Sequence, residues 1–479
     1  MSQSRWLLET LSEDALDQIE ETAYRLLEEV GIALDHARAR EMLHGLGCRV
    51  GGDRVCIPGD VVRWALDNVR ADTEYLNRDG THAFALGDGL VRFHNGGGQP
   101  YALDLETGAE RPARVQDVAD VSRLLDALPH VDQITPLFGP QDVPPALIMV
   151  ESTAAMLRNT RKPLSSAAID KPEDVPYVVE MAAACCGGLE AFRERPNMTI
   201  SVSPVSPLRF PSDVAGAIIA VVQSGAPFHS LPAPSLGATG PVTMAGALAQ
   251  QHAEVLASFV LAAATRPGAV VGYCSRISPI DLRTAISVWG SPEVGMSGAC
   301  AAQLAHRLGF PCDSYGLSTT SRLLDPQFAY ERLANALVPA LAGVDILSGV
   351  GNGGGLVAGL EIAVIDDEII SLIKQIVAGC QVNETTLAYD VMREVIPRDG
   401  VFLGEMHTVR QMRKGALWIP GISTRGGSEK TGMSGGVVDR ARARAREILS
   451  SYEVEPLSGD VGRHLDEVLA KARRELAGD

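Results

Sequence analysis

The chain lacks several of the short motifs by which metal-dependent and nucleotide-dependent enzymes are identified. Its 479 residues contain no CxxC pair, no HExxH motif and no GxxxxGK[ST] phosphate loop. The eight cysteines are scattered, apart from the adjacent Cys185 and Cys186, and are interpreted as free thiols in a reducing compartment. These absences disfavour a zinc hydrolase and a P-loop nucleotide hydrolase, and no metal site is expected.

Basic residues are also in deficit. Lysine and arginine number 42 against 59 aspartates and glutamates, which gives a formal net charge of -17. Because surfaces that bind nucleic acid or anionic lipid are usually basic, neither a nucleic acid nor a membrane is an expected partner. No long apolar stretch is free of polar breaks, and the N-terminal residues turn acidic too early for a signal peptide. The composition predicts a cytoplasmic protein.

What the chain has instead is a regular alternation of strand-like and helix-like segments between Leu90 and Gly351. Helices such as Val115–Leu128 and Pro326–Leu341 are long enough to cross back over a parallel sheet. Eight units predict a closed (β/α)8 TIM barrel. An open doubly wound sheet is less favoured, because the first strand is followed by HNGGGQP and not by a GxGxxG fingerprint leading into a helix. The predicted strands are Leu90–His94, Val131–Phe138, Leu164–Ile169, Met198–Ser203, Pro227–Leu231, Ala269–Cys274, Pro311–Tyr315 and Asp345–Ser348.

Two smaller regions flank the predicted barrel. Residues 1–89 begin with a helix after Ser12 and are expected to form an α/β cap packed on the barrel. The barrel itself is assigned to residues 90–380, and residues 381–479 to a C-terminal helical extension of the same unit. A helix is predicted at Ile365–Ala378, with Asp366 in its opening turn, where a carboxylate is favourable.

A barrel builds its active site on the loops after its strands, so the candidate site residues are the polar and aromatic side chains there. No strand ends in a lysine placed for Schiff-base chemistry, and no catalytic residue is assigned. The site is therefore expected to position a substrate more than to supply a nucleophile. The candidate substrate-binding residues are His94, Gln99, Ser166, Ser203, Phe210, His229, Tyr273, Arg276, Tyr315 and Asn352.

Several blocks of the sequence resemble the trimethylamine methyltransferase family. They include FHNGGGQPYALDLETG at 93–108, VSPVSPLRF at 202–210, LGATGPVTMAGALA at 236–249 and VIDDEIISLIKQI at 364–376, and together they span most of the chain. The resemblance implies a barrel that moves a methyl group from a methylated amine to the cobalt of a corrinoid (cobalamin). A separate corrinoid protein carries that cofactor, so none is expected to be bound permanently.

The resemblance also bears on the substrate. Founding members of the family carry pyrrolysine at the barrel mouth, whereas this chain has SGVGNGG at Ser348–Gly354. It therefore resembles the branch without pyrrolysine, which acts on quaternary amines such as glycine betaine. Aromatic faces would hold the cation, with Phe210, His229, Tyr273 and Tyr315 as candidates. Arg276, and after it Arg209, would hold a carboxylate.

The partners implied are a small methylated amine and a cognate corrinoid protein that docks over the barrel mouth. Family members assemble, so a homo-oligomer is also expected. Two alternatives remain open at this point: a barrel that binds betaines or a corrinoid partner without turnover, and a barrel lyase.

Overall fold

The structure, a computed structural model, describes residues 8–398, 400–425 and 435–478. The chain first forms three helices: α1 (Glu13–Arg25), α2 (Ala37–Gly45) and α3 (Gly59–Asp67). Helix α1 begins where the sequence predicts, because the Ser12 hydroxyl accepts a hydrogen bond from the Ala15 N–H. Six short strands accompany these helices: β1 (Ile32–Leu34), β2 (Arg49–Gly51), β3 (Arg54–Cys56), β4 (Val69–Ala71), β5 (Glu74–Leu76) and β6 (His82–Ala85).

The middle of the chain alternates strands with helices, as its apolar runs predict. The strands are β7 (Arg92–Asn95), β8 (Tyr101–Leu103), β9 (Glu110–Pro112), β10 (Leu164–Ser165), β11 (Met198–Val202), β12 (Arg209–Phe210), β13 (Phe228–Ser230), β14 (Ser235–Leu236), β15 (Ala269–Ser275), β16 (Ser278–Asp281), β17 (Ile286–Ser287), β18 (Cys312–Tyr315), β19 (Ile346–Val350) and β20 (Val357–Ala358). The helices are α4 (Val115–Ala127), α5 (Ile148–Asn159), α6 (Val175–Cys185), α7 (Leu189–Glu194), α8 (Ser212–Ser224), α9 (Met244–Thr265), α10 (Pro292–Arg307), α11 (Pro326–Leu341) and α12 (Leu360–Val377).

Seven of these strands form one parallel sheet in the order β10-β11-β13-β15-β18-β19-β7. The predicted second strand closes the circle between β7 and β10, through single parallel bridges that join His94 to Gln133 and Ile134 to Leu164. It forms bridges and not a continuous ladder: the Thr135 N–H donates to the Asn95 side chain at 2.9 Å, and Pro136 has no N–H to donate. The predicted barrel is confirmed, but isolated bridges take the place of the predicted second strand Val131–Phe138.

The N-terminal elements are joined to the barrel by backbone pairing. Strand β4 pairs in parallel with the start of β15, and the Asp72 N–H then donates to the Val271 carbonyl at 3.0 Å. Strand β1 pairs in parallel with β12, which places Phe210 opposite Leu34 in the core between the two regions. The first of these contacts brings Asp72 to the interior of the barrel.

The C-terminal elements are α13 (Glu384–Leu387), α14 (Tyr389–Val395), α15 (Met406–Arg413), α16 (Val437–Ser451) and α17 (Gly459–Ala472). Helix α12, which precedes them, begins at Leu360 and not at the predicted Ile365, so Asp366 lies in its second turn. There it faces Arg332 of α11, and both side chains are fully buried. Among the described residues, no helix is both long enough and apolar enough to cross a bilayer.

Candidate active site

The interior of the barrel is polar. Gln133 Nε2 donates to the Thr199 hydroxyl at 3.3 Å across the strand between them, and His94, His229, Cys274 and Asp313 face the same space. Barrel interiors are normally filled by layers of branched aliphatic side chains. A polar interior sacrifices that packing, which is typical of a binding or catalytic site.

Asp313 on β18 is the centre of this polar group. Arg276 donates to its Oδ1 atom at 2.8 Å and to its backbone carbonyl at 3.0 Å. His94 Nε2 lies 3.4 Å from the same Oδ1 atom, and the Cys274 thiol lies 3.7 Å from Oδ2. Burial by itself would raise the pKa of Asp313, but Arg276, His94 and His229 lower that pKa below its usual range. Asp313 is therefore an ionised carboxylate with a cationic partner.

A second carboxylate reaches the group from the N-terminal region. His229 Nε2 lies 2.7 Å from Asp72 Oδ2, and both side chains are buried. The imidazole crosses the neighbouring strand over Gly272, where a Cβ atom would overlap the ring. Burial, followed by the charge of Asp313, raises the pKa of the nearby Cys274 thiol well above its ordinary value, so that thiol is protonated.

Two aromatic rings line the mouth above this group. The Tyr315 and Trp289 ring centroids are 4.8 Å apart with the planes tilted by 52°, and Trp289 is half-buried. The Arg276 guanidinium carbon lies 5.9 Å from the Tyr315 centroid. Asn352 Nδ2 donates to the Tyr315 hydroxyl at 2.6 Å, and its amide group packs on Gly96, where any side chain would overlap it. The mouth therefore offers aromatic faces beside a guanidinium.

Several buried polar atoms at the same end have no hydrogen-bond partner in the protein. They are His94 Nδ1, Gln99 Oε1, Thr135 Oγ1 and Asn352 Oδ1. Buried polar groups are rarely left unpaired, because each costs roughly 1–3 kcal/mol. The glycine-rich turn after β7 brings them together, since Gly96 contacts Asn352 and Gly97 contacts Thr135. These atoms are available to a bound molecule.

The loop after β19 is held by a buried ion pair. Arg332 Nε donates to Asp366 Oδ1 at 2.6 Å, and its other nitrogens donate to Asp366 Oδ2 and to the carbonyls of Gly349 and Asn352. Asp366 Oδ2 also accepts from the Gly351 N–H at 2.7 Å. This pair fixes the backbone that carries Asn352. It therefore positions a residue of the mouth without itself lining the mouth.

The structure brings five of the predicted residues into one group: His94, His229, Arg276, Tyr315 and Asn352. Gln99 lies in the adjoining glycine-rich turn, and Ser203 is half-buried in the loop after β11.

The other three predicted residues make contacts within the protein. The Ser166 hydroxyl, just after β10, accepts from the Ser201 N–H of β11 at 3.2 Å. Phe210 is fully buried opposite Leu34 of the N-terminal region, so its ring presents no face to a cation at the mouth. Tyr273 projects to the outer face of β15, where its hydroxyl lies 2.9 Å from His252 Nδ1 of α9. Successive residues of a strand face opposite sides, so Cys274, and not Tyr273, faces the interior.

Sequence reasoning missed Asp72, Trp289 and Asp313, and gave Cys274 no role. For Asp313 a signal was present, because a charged residue inside a buried parallel strand is expensive unless it is paired. Trp289 precedes the GSPEVG block at 290–295, but nothing local indicates that its ring turns to the mouth. Asp72 has no sequence signal, because its position depends on a strand pairing across about 200 residues.

A separate cleft of about 700 Å³ lies at the opposite end of the barrel. It is lined by residues that precede β7, β18 and β19, among them Leu90, Pro311 and Asp345. The reactive face of a barrel is the carboxyl end of its strands, so this cleft is not the candidate site.

A model of the family described as Trimethylamine methyltransferase (MTTB) matches residues 2–477. The trimethylamine methyltransferase MttB of Desulfitobacterium hafniense (strain DSM 10664 / DCB-2) is 29% identical over 478 residues, which cover 97% of this chain and 94% of that protein. A glycine betaine methyltransferase of D. hafniense (strain Y51) is 29% identical over 471 residues, or 97% of each chain.

Among solved structures, the monomethylamine methyltransferase MtmB of Methanosarcina barkeri superposes with a TM-score of 0.53 at 13% identity. The match covers 95% of this chain and 90% of that one. At this identity the likeness shows the fold alone.

Proposed function

This chain belongs to the trimethylamine methyltransferase (MTTB) family and is a methyltransferase, and from that premise we propose that its methyl donor is a quaternary amine of the betaine class. The methyl acceptor in this proposal is the Co(I) centre of a corrinoid carried by a separate protein. Relatives named for trimethylamine and for glycine betaine are equally similar to the chain, so overall identity does not choose between the two donors.

The observation that carries the proposal is the position of Arg276 beside the ring of Tyr315, which itself contacts the ring of Trp289. Three of the five N–H donors of Arg276 bind protein acceptors, which leaves two for a ligand. A guanidinium binds a carboxylate, and aromatic faces bind a quaternary ammonium at about 0.5–2 kcal/mol per contact. Trimethylamine has no carboxylate to use the arginine, whereas a betaine carries both groups.

The chemistry of such a donor agrees with the side chains available. A docked corrinoid protein would supply a Co(I) nucleophile, and a neutral tertiary amine would leave. A neutral leaving group takes up no proton, so the reaction needs no general acid. Asp313, held ionised by Arg276, has no proton to donate. The task left to the protein is to orient one N–CH3 bond and to exclude water, which can lower a barrier by several kcal/mol.

The rim of the mouth supports docking of a partner protein. Each of the last five strand-exit loops carries at least one large apolar residue that is well exposed. Scattered exposed apolar residues are ordinary, but a ring of them around a candidate site is typical of an interaction surface. The corrinoid itself would come with that partner, in keeping with the expectation that none is bound permanently. The rim residues are Val205, Val242, Leu282, Leu323 and Leu356, with exposures of 44%, 63%, 69%, 68% and 63%.

The direct test uses the full-length protein with chemically reduced cobalamin and three donors: glycine betaine, trimethylamine and choline. We expect glycine betaine to yield methylcobalamin, followed by its absorbance, together with an equal amount of dimethylglycine, measured by mass spectrometry. Methyl transfer from trimethylamine but not from betaines would refute the proposal.

The alternatives give different results in the same material. Tight betaine binding by calorimetry without methyl transfer would identify a binding protein. Covalent trapping of a carbonyl substrate with borohydride would identify a lyase that uses a lysine. Lys162, which precedes β10, donates to the carbonyls of Leu125 and Leu128 at 2.7 and 2.6 Å, at the end of the barrel opposite the mouth.

A further inference from the structure

We propose that His229, Cys274 and Asp313 form a binding site for a divalent transition metal ion of the zinc type inside the barrel. One donor atom from each of these side chains lies within 4.8 Å of the other two, and all three residues are buried. They stand on the adjacent strands β13, β15 and β18 and face the same interior space. This inference goes beyond the proposed methyl transfer to a corrinoid, which requires no metal ion bound by this chain.

The donor set suits the ion. Zinc is bound in proteins by imidazole nitrogen, thiolate sulfur and carboxylate oxygen at about 2.0–2.3 Å, so tetrahedral ligand atoms stand about 3.5 Å apart. The three donors therefore have to approach one another by about 1 Å, a distance within the reach of side-chain rotation. Softer thiolate and imidazole donors favour zinc over magnesium or calcium, which prefer oxygen ligands alone.

The surroundings hold two of the ligands in place. Asp72 Oδ2 lies 2.7 Å from His229 Nε2 and orients the imidazole, as carboxylates commonly do for metal-bound histidines. Arg276 holds Asp313 through Oδ1 at 2.8 Å, which leaves Oδ2 facing Cys274. Gly272 supplies the space in which the imidazole lies.

The charges of the occupied site balance. Binding would ionise the Cys274 S–H group, release its proton to solvent and form a sulfur–metal bond. One thiolate and the carboxylates of Asp72 and Asp313 then carry three negative charges, which Arg276 and a divalent ion offset. A buried group with no net charge avoids the large cost of an unpaired charge.

The sequence predicts no metal site because it contains no set of ligands at close spacing. Here the three ligands are about 40 residues apart along the chain, and one strand-and-helix unit separates each from the next. A barrel brings such residues together at the ends of different strands, so closely spaced motifs are not required.

The test measures metal binding and not methyl transfer, so its outcome is independent of the proposed donor. Full-length protein is freed of metal with a chelator and titrated with Co²⁺, whose tetrahedral thiolate complexes absorb strongly in the near ultraviolet and visible ranges. We expect one equivalent to bind with a sulfur-to-cobalt band, and freshly purified protein to contain one zinc per chain by mass spectrometry. Cys274→Ser should abolish the band. Cys300→Ser, which alters another buried cysteine on α10, should preserve it.

A second variant guards against misfolding of the first. Asp72→Asn keeps all three ligands but weakens the support of His229, so it should retain the band while lowering metal affinity about 10–100-fold. Circular dichroism establishes that the wild-type protein is folded. Failure of that folded protein to bind one equivalent of Co²⁺ would overturn the proposal. Survival of the sulfur-to-cobalt band in Cys274→Ser would overturn it as well.

Discussion

Replacement of Arg276 by lysine distinguishes binding of the carboxylate of the proposed substrate from binding of its quaternary ammonium group. Lysine keeps the positive charge that Asp313 requires, but replaces a planar fork of donors with a single nitrogen. Arginine uses three donors on Asp313 and Ser275 at 2.8–3.0 Å, so a lysine in its place has little left for a ligand. A charge-assisted hydrogen bond contributes about 1.5–3 kcal/mol, so glycine betaine should bind Arg276→Lys about 10–150-fold more weakly.

Calorimetry with two ligands measures this directly, because neither turns over in the absence of a corrinoid. Tetramethylammonium has the cation without the carboxylate, and its dissociation constant should change by less than about threefold. Arg209→Lys is the matched control, since that side chain is exposed on β12 and should affect neither ligand. An equal loss for both ligands, or no loss for betaine, would refute the role of Arg276 in carboxylate binding.

Three further predictions concern the mouth, the ion pair behind it and the outer face of the barrel. Trp289→Ala should weaken tetramethylammonium binding about 2–30-fold, because an aromatic face contributes about 0.5–2 kcal/mol to cation binding, and Trp289→Phe should weaken it much less. Wild-type affinity in the alanine variant would exclude the ring from the site. Asp366→Ala leaves Arg332 buried without its partner, so the free energy of unfolding in urea should fall by about 3–5 kcal/mol, whereas Asp390→Ala at an exposed pair should leave it unchanged. Burial, and then Arg307, lowers the pKa of His252 to about 4, so between that value and its ordinary 6.5 the unfolded chain binds a proton that the folded chain does not. Stability should therefore fall by roughly 2–3 kcal/mol as the pH drops through this range, and a His252→Gln variant with the same pH profile would contradict this assignment.

The strands and helices of the barrel could be predicted because its buried strands are short runs rich in apolar and β-branched residues. Runs such as MTISV at Met198–Val202 and AVVGYCS at Ala269–Ser275 stand out from the helices between them. In the second of these runs the apolar character hides which side of the strand faces inward. If the alternation along β15 is shifted by one residue, Tyr273 and not Cys274 faces the interior. Because both side chains are suited to burial, the sequence does not indicate which of the two faces inward.

The candidate site could be predicted only in part, for a related reason. Residues at strand ends, such as His94, Arg276 and Asn352, are placed by the barrel rule alone. Residues that enter from other elements require knowledge of tertiary pairing. The buried contact between Arg332 and Asp366 links two helices, whereas the sequence alone predicts Asp366 at a helix start, because acidic residues are favourable there.

The pairing of β4 with β15 has a consequence for protein engineering. Asp72 belongs to the N-terminal region, yet its carboxylate contacts His229 at the floor of the barrel. A shortened chain that begins at Leu90 would keep every barrel strand and still lack this carboxylate. Chimeras that graft the barrel of this protein onto the N-terminal region of a relative therefore have to exchange both segments together, or restore an acidic residue at the position of Asp72.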